Sequence, residues 1–253
     1  MKYGAAFCAL LALGVATPAA AEDETASPAG DDWQVSFTPY LWVAGIKSDL
    51  EVPGESDVQI DRKFTDTFSS LKFAFMSALN VEHKNFVFFV DGNYISLRSS
   101  TEDIEAPEHL SGHVDTKALE STPLLGYKVI HNGSTSLELL GGARILSLKN
   151  DIHLELPTRE VNFSNDRSSI APVIATRLKT PLGGRWSATL YGDVGGMTDL
   201  KSTWQVLAAV NYRLGDHWSL AAGYRHLTLN MGKSKADADV RLSGPLLGVT
   251  YRF

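Results

Sequence analysis

The sequence predicts an all-β chain, an antiparallel up-and-down transmembrane β-barrel of about ten strands. Three observations carry the prediction: apolar and polar residues alternate with period two, tight connections alternate with long ones, and no segment after the N-terminus is apolar for long enough to cross a bilayer as a helix. Trp204 to Arg213 shows the alternation most plainly, with apolar or aromatic residues at every even position and Gln205, Asn211 and Arg213 on the odd face. The longest stretch free of Asp, Glu, Lys and Arg beyond the N-terminal region is Trp33–Ile46, 14 residues, short of the roughly 20 that a spanning helix needs.

The elements follow in chain order. Lys2, the apolar Tyr3–Val15 and the small residues Ala19-Ala20-Ala21 before Glu22 form a secretory signal peptide over residues 1–21. Residues 22–32, rich in Ala, Glu, Asp, Ser and Pro, read as a flexible leader, and residues 33–253 as the barrel domain. The single cysteine, Cys8, leaves with the signal, so no disulfide, thiolate metal site or cysteine nucleophile is expected.

Clear alternation marks strands at Phe73–Glu82, Leu137–Leu148, Trp186–Asp193 and Trp204–Arg213. Weaker alternation marks Phe86–Leu97, Leu119–Val129, Ile170–Lys179 and Trp218–Leu229, and the set is completed by Trp33–Ala44 and Val240–Phe253. Ten-residue strands tilted by about 40° span roughly 25 Å, the height of an outer-membrane apolar band. Tight turns fall at Glu82–Asn85, His131–Ser134, Pro181–Gly184 and Gly215–His217. Between them lie Gly45–Lys72, Ser99–Gly112, Asn150–Arg167, a short Thr198–Ser202 and Gly232–Asp239. Periplasmic turns are short and exterior loops long in such barrels, so this asymmetry places both termini on the periplasmic side. Eight or twelve strands follow if the first connection is read differently. Within that connection Asp49–Val52 and Asp57–Ile60 flank Pro53-Gly54, which extends the first hairpin beyond the membrane, and Thr65 is placed to cap one helical turn.

A glycine recurs six residues into the strand after three tight turns, at Gly92, Gly142 and Gly192, with Gly223 one residue earlier. Trp186, Trp218, Tyr127 and Tyr212 lie beside tight turns, where an aromatic girdle meets the membrane interface.

Composition excludes some functions. The chain is 44% apolar and 21% charged with a net charge of −6, which suits a folded protein and disfavours binding to nucleic acid. His83, His131 and His217 sit in tight turns, and His109, His113 and His153 in or beside long loops; no His-x-x-x-His or His-Glu-x-x-His pattern occurs. No Gly-x-Ser-x-Gly elbow is present either. No metal, cofactor or catalytic residue is therefore assigned, and the chain is read as a non-enzyme.

The candidate functional residues are charges on the polar strand faces: Glu82, Asp91, Glu120, Lys128, Glu138, Arg144, Arg177, Asp193, Arg213 and Arg225. An Arg or Lys facing lipid at mid-membrane costs about 2–4 kcal/mol, so these residues are expected to line the lumen. They either filter solutes in a narrow passive pore or pair with one another and close it. Glu138 and Arg144 lie about 20 Å apart along one strand face and must find partners on other strands. Glu102, Asp103, Glu105 and Glu108 make the second long loop acidic, either a solvated loop or a holder of divalent cations near lipopolysaccharide.

The last strand places Leu247, Val249, Tyr251 and the terminal Phe253 on one face at two-residue steps. This resembles the C-terminal signal of Gram-negative outer-membrane β-barrels, which in that family is read by the barrel assembly machinery. More widely, Thr38-Pro39-Tyr40-Leu41-Trp42, Leu71-Lys72-Phe73-Ala74-Phe75-Met76, Arg185-Trp186-Ser187, Asp193-Val194-Gly195-Gly196 and Leu242-Ser243-Gly244-Pro245-Leu246-Leu247-Gly248 are similar to a family of small outer-membrane barrels. The resemblance implies a location and a fold, not a reaction. The expectation is a monomer in the cell outer membrane, surrounded by lipid and lipopolysaccharide and with no nucleic-acid partner, whose role is structural or that of a narrow passive pore. Two alternatives stay open: an outer-membrane hydrolase of lipid or peptide with a dispersed site at the outer rim, and a soluble periplasmic ligand-binding barrel with reversed polarity.

Overall fold

The computed structural model describes residues 33–51, 58–62, 70–100, 111–133, 135–156, 159–197, 200–233 and 236–253. The signal segment, the leader, Pro53-Gly54, Thr65, His109 and the acidic residues Glu102, Asp103, Glu105 and Glu108 lie outside them. The strands are β1 (Gln34–Trp42), β2 (Gly45–Glu51), β3 (Val58–Arg62), β4 (Leu71–His83), β5 (Phe86–Ser100), β6 (Ser111–Asn132), β7 (Thr135–Leu156), β8 (Arg159–Gly183), β9 (Trp186–Met197), β10 (Leu200–Arg213), β11 (Trp218–Lys233) and β12 (Ala236–Arg252).

The sheet closes on itself. From β4 to β12 each strand pairs antiparallel with the next, and β1 joins β4 on one side to β12 on the other, through Ser36↔Arg252 to Trp42↔Leu246. Of the twelve strands, β2 and β3 stand outside this ring, leaving ten. After Val43 and Ala44, β2 takes over from β1 and climbs the far half of β12, from Gly45↔Ser243 to Glu51↔Asp237, while β3 pairs back along β2. The extended first hairpin is thus present as β2–β3.

Three strands are far longer than ten residues: β6 and β7 have 22 each and β8 has 25. In the stretch Asn150–Arg167, expected as a loop, the described residues are strand: β7 runs to Leu156 and β8 starts at Arg159. Gly232–Asp239 is likewise largely strand. Above the lipid both faces of a strand meet water, so alternation vanishes while the backbone ladder continues.

Outward faces are apolar across the membrane belt. Leu125, Ile174 and Leu247 are 67%, 68% and 63% exposed, a surface suited to lipid. That orientation overturns the soluble, polar-out alternative. Aromatic pairs ring the turn end: Phe86–Tyr127 at 5.4 Å, Trp186–Tyr212 at 4.7 Å and Trp218–Tyr251 at 4.7 Å between centroids.

The recurring glycines are not equivalent. A Cβ at Gly142 would come to 2.1 Å from the Pro123 carbonyl oxygen and one at Gly223 to 2.4 Å from that of Ala208, whereas Gly92 and Gly192 have nothing nearer than 4.0 and 3.8 Å. Only the first two mark places where neighbouring backbones crowd the interior face. Gly142→Ala should therefore lower the unfolding midpoint in detergent, by about 1–3 kcal/mol for an overpacked position, while Gly92→Ala changes it little. The heat-dependent mobility shift of the barrel on an SDS gel reads both.

Candidate functional site

The interior is filled rather than hollow, and charged side chains hold its middle. Nine of the ten candidate charges face inward. Glu138 and Arg144 are 0% exposed and Arg225 is 1% exposed. Arg213 departs from the expectation: at the end of β10, beside the tight turn, it is exposed at the rim and stands apart from the interior network.

The inner charges form two tiers. In the upper tier, Arg144 on β7 donates to Asp193 at 2.7 Å, to Glu120 and Thr122 at 3.2 Å each, and to Thr203. Arg225 on β11 pairs with Asp91 at 2.7 Å and Glu120 at 3.4 Å and donates to the Gln205 side-chain oxygen at 2.7 Å. Two tyrosines support the acids: the Tyr40 hydroxyl donates to Asp91 at 2.5 Å and that of Tyr191 to Asp193 at 2.7 Å. In the lower tier, Arg177 on β8 donates to Glu138 and to the Asn80 side-chain oxygen, both at 2.6 Å. Glu82 accepts ion pairs from Lys128 and Lys179, both at 2.6 Å.

These bonds cross the barrel. Around the ring β11 and β6 are five strands apart in either direction, so Arg225–Glu120 spans a diameter; Arg177–Asn80 and Lys179–Glu82 join β8 to β4, four strands away by the shorter path. Charge balances across the tiers. Asp91, Glu120 and Asp193 face two guanidiniums above, and Glu82 and Glu138 face three cations below. Glu138 and Arg144 do find partners on other strands, in Arg177 and in Glu120 and Asp193.

Apolar packing fills the remaining width. Trp42, Met76, Leu200, Leu227, Leu229 and Leu246 form one buried cluster, and Val87, Leu124, Leu140, Val173 and Tyr191 another. Each tier docks on a ring: Arg225 lies 4.5 Å over Trp42, and Arg177 4.5 Å over Phe89. A cavity of about 300 Å³ remains between Gln34, Asn211 and Ser219 near the turn end and Tyr40, Asp91 and Arg225 at its inner limit. The candidate set lacks Tyr40, Tyr191 and Lys179, and Gln205, placed on the polar face of its strand, is not counted with the charges. Parity with Thr38, Asp193 and Arg177 places the first three on the inner face.

Outside the lumen, His113 and His153 lie on β6 and β7 rather than in loops, because those strands continue past the lipid. Arg98 grips Asp115 there, at 2.8 and 2.6 Å, and holds its carboxyl well below the usual carboxylate range, with Lys72 adding to the effect. Leu247, Val249, Tyr251 and Phe253 occupy the outer face of β12, and Phe253 is 70% exposed.

A closed ring with an apolar outer belt, aromatic girdles and charges confined inside defines a membrane-spanning β-barrel. Several solved structures are similar to the chain. The outer-membrane protease OmpT from Escherichia coli matches with a TM-score of 0.55 at 11% identity, over 88% of this chain and 97% of that one. The translocator domain of the autotransporter NalP from Neisseria meningitidis matches at 0.46 and 15% identity, over 88% and 89%. Ail of Yersinia pestis matches at 0.31 and 13% identity, over 87% and 98%. No family model matches the chain, and no curated protein matches it in sequence. The chain has the fold of a Gram-negative outer-membrane β-barrel such as OmpT.

Removing one member of a buried, paired charge set leaves its partners uncompensated, at about 3–5 kcal/mol. Arg144→Ala, which takes the arginine partner from buried Asp193 and leaves Glu120 with Arg225, should cost stability of that order. Arg213→Ala at the rim should leave the barrel within about 0.5 kcal/mol of wild type. Urea unfolding of both variants in detergent, followed by tryptophan fluorescence, makes the comparison.

Proposed function

We propose that the protein is a structural barrel of the outer membrane with a closed lumen, the passive pore being the lesser of the two roles expected for it. One observation carries this reading: above the cavity, whose wall includes the lower-tier Glu82, Arg177 and Lys179, Arg225 on β11 reaches Glu120 on the opposite wall and Arg144 bonds Asp193, so that the upper tier and the apolar cluster around Trp42 cross the barrel. An ion entering from the turn end finds the cavity beside Gln34 and Asn211, then meets bonded guanidiniums instead of water. Opening a path requires breaking cross-barrel pairs that are worth several kcal/mol when desolvated.

The reading takes the chain as a non-enzyme. The outward-facing His226 lies 2.5 Å from the Ser243 hydroxyl and 3.1 Å from that of Thr228, but among the described residues no carboxylate bonds the imidazole, as the orienting acid of a hydrolase would. Lipid and lipopolysaccharide surround the belt, the protein works as a monomer, and the assembly machinery reads Leu247, Val249, Tyr251 and Phe253; the exposure of that face and its resemblance to the assembly signal support this.

Two measurements test these points. In a planar bilayer at high salt, wild-type protein verified as folded by its mobility shift should give no steady unitary steps; long-lived, reproducible steps overturn the closed reading in favour of the pore. Phe253→Ala should reduce the amount of barrel assembled in cells several-fold while refolding normally into detergent. Equal assembly of variant and wild type removes the signal role.

A further inference from the structure

We propose that the exterior ends of β6 and β7 carry a transition-metal site made by His113, Asp115 and His153, with Zn²⁺ as the ion that best fits the donor set.

The three side chains share the outer face of the barrel. Beyond Leu119 and Ile145, the last apolar residues on that face of β6 and β7, the outward positions become Lys117 and Lys149, which oppose each other in register, and then Asp115 and Asp151. His113 and His153 are the next pair. Their rings stack with centroids 4.7 Å apart and planes 23° from parallel. One ring nitrogen of each histidine and one carboxylate oxygen of Asp115 lie within 4.8 Å of one another, and His113 Nε2 is 3.8 Å from Asp115 Oδ2. A tetrahedral zinc site with bonds of about 2.0–2.1 Å brings its donors to roughly 3.3 Å apart. Turning the two stacked rings about their side-chain torsions, so that their in-plane lone pairs converge on one point, closes that gap, and the partial exposure of His113 and His153 leaves room for the movement.

Supporting contacts distinguish the cluster from a chance gathering. The side-chain oxygen of Asn162, opposite His153 on β8, lies 2.8 Å from His153 Nδ1. An oxygen there accepts a hydrogen bond, so Nδ1 carries the proton and Nε2 keeps its lone pair for a metal, the outer arrangement that orients ligating histidines. Asp115 is held by Arg98 on β5, through Nε to Oδ1 at 2.8 Å and Nη2 to Oδ2 at 2.6 Å, and by Lys72 to Oδ1 at 3.2 Å, with Oδ2 shared between Arg98 and the side facing His113. Ligating carboxylates are commonly steadied by such hydrogen bonds. The two cations also oppose a divalent ion, which sets the expected affinity in the micromolar range rather than tighter. Asp151, beside Asp115 in register, offsets part of that charge.

Two imidazoles with one carboxylate favour Zn²⁺, and then Ni²⁺ or Cu²⁺, over Mg²⁺ or Ca²⁺, which take oxygen sets. Three protein donors leave a position open to water or an exterior donor. The three donor residues and Asn162 sit on paired strands, so their backbone positions are fixed and only side-chain torsions adjust on binding.

The test uses the mature protein without a histidine tag, stripped with chelator and refolded in detergent. Titration with ZnCl₂ by calorimetry should give one ion per chain with a micromolar Kd. His113→Ala and His153→Ala should each weaken binding at least tenfold, and Asn162→Leu should weaken it about tenfold through loss of orientation. The barrel's mobility shift should stay unchanged in all three, since the site stands beyond the lipid belt. His217→Ala, in a tight turn at the other end, is the control and should bind as wild type does. Stoichiometry well below one, or an affinity unmoved in the double variant His113→Ala/His153→Ala, overturns the proposal.

Discussion

Backbone hydrogen bonding has no substitute inside a bilayer, and the whole arrangement follows from closing the ladder between β1 and β12. An unpaired N–H or C=O in hydrocarbon costs several kcal/mol, so an open edge of the strand lengths seen here would be prohibitive. The register Ser36↔Arg252 to Trp42↔Leu246 removes that edge. Once the ring is shut, every strand has one face to lipid and one to the interior. Charges that could not face lipid are then concentrated in a narrow cylinder, where they must neutralise one another. The two tiers are the consequence, and so is their near balance of charge.

Ring size sets what the interior can be. With ten strands the opposite walls are close enough for one arginine side chain to reach across, as Arg225 does to Glu120, and close enough for one buried cluster to join Trp42 on β1 with Ala171 on β8, five strands away. A wider ring would leave water between such residues. Here the desolvation of each charge is offset by hydrogen bonds as well as by ion pairs. Arg144 reaches Thr122 and Thr203 besides two carboxylates, which is the condition under which buried charge is tolerable.

Legibility in the sequence followed the same physics. Where the interior face is polar, as at Gln205 and Asn211 on β10, alternation is plain and the strand is readable. Where the interior is packed with apolar residues, both faces are apolar and the signal fades: Val87 and Phe89 inside alternate with Phe86 and Phe88 outside on β5, and Leu227 and Leu229 face inward on a strand whose outer face bears Leu220 and Tyr224. Those strands, with Leu119–Val129 and Ile170–Lys179, are the ones whose patterns looked weak. The continuation of β7 and β8 past Asn150 failed for the opposite reason, since both faces are polar there. Inward placement of single charges was legible from parity, but the pairing of Arg225 with Glu120, 105 positions apart in the chain, depends on ring closure and strand number, which no local pattern records.

With the closed lumen proposed for it, the barrel's function falls to its surfaces. The turn end offers a cavity that reaches inward as far as Asp91 and Arg225. The other end offers more: β6, β7 and β8 continue as a paired, twisted ribbon whose outer face bears lysines, aspartates and histidines in register. Building those 22 to 25 residue strands orders backbone at about 1–2 kcal/mol per residue, with little apolar burial beyond the belt to offset it. The cross-strand contacts there, Arg98 with Asp115, Ser164 with Asp151 and Asn162 with His153, supply part of the compensation. They also hold side chains in fixed places above the membrane, which a loop of the same length would not do. The physical distinction between this barrel and a simple membrane filler therefore lies in that rigid exterior ribbon, where ordered polar side chains face the cell surroundings at no expense to the closed core.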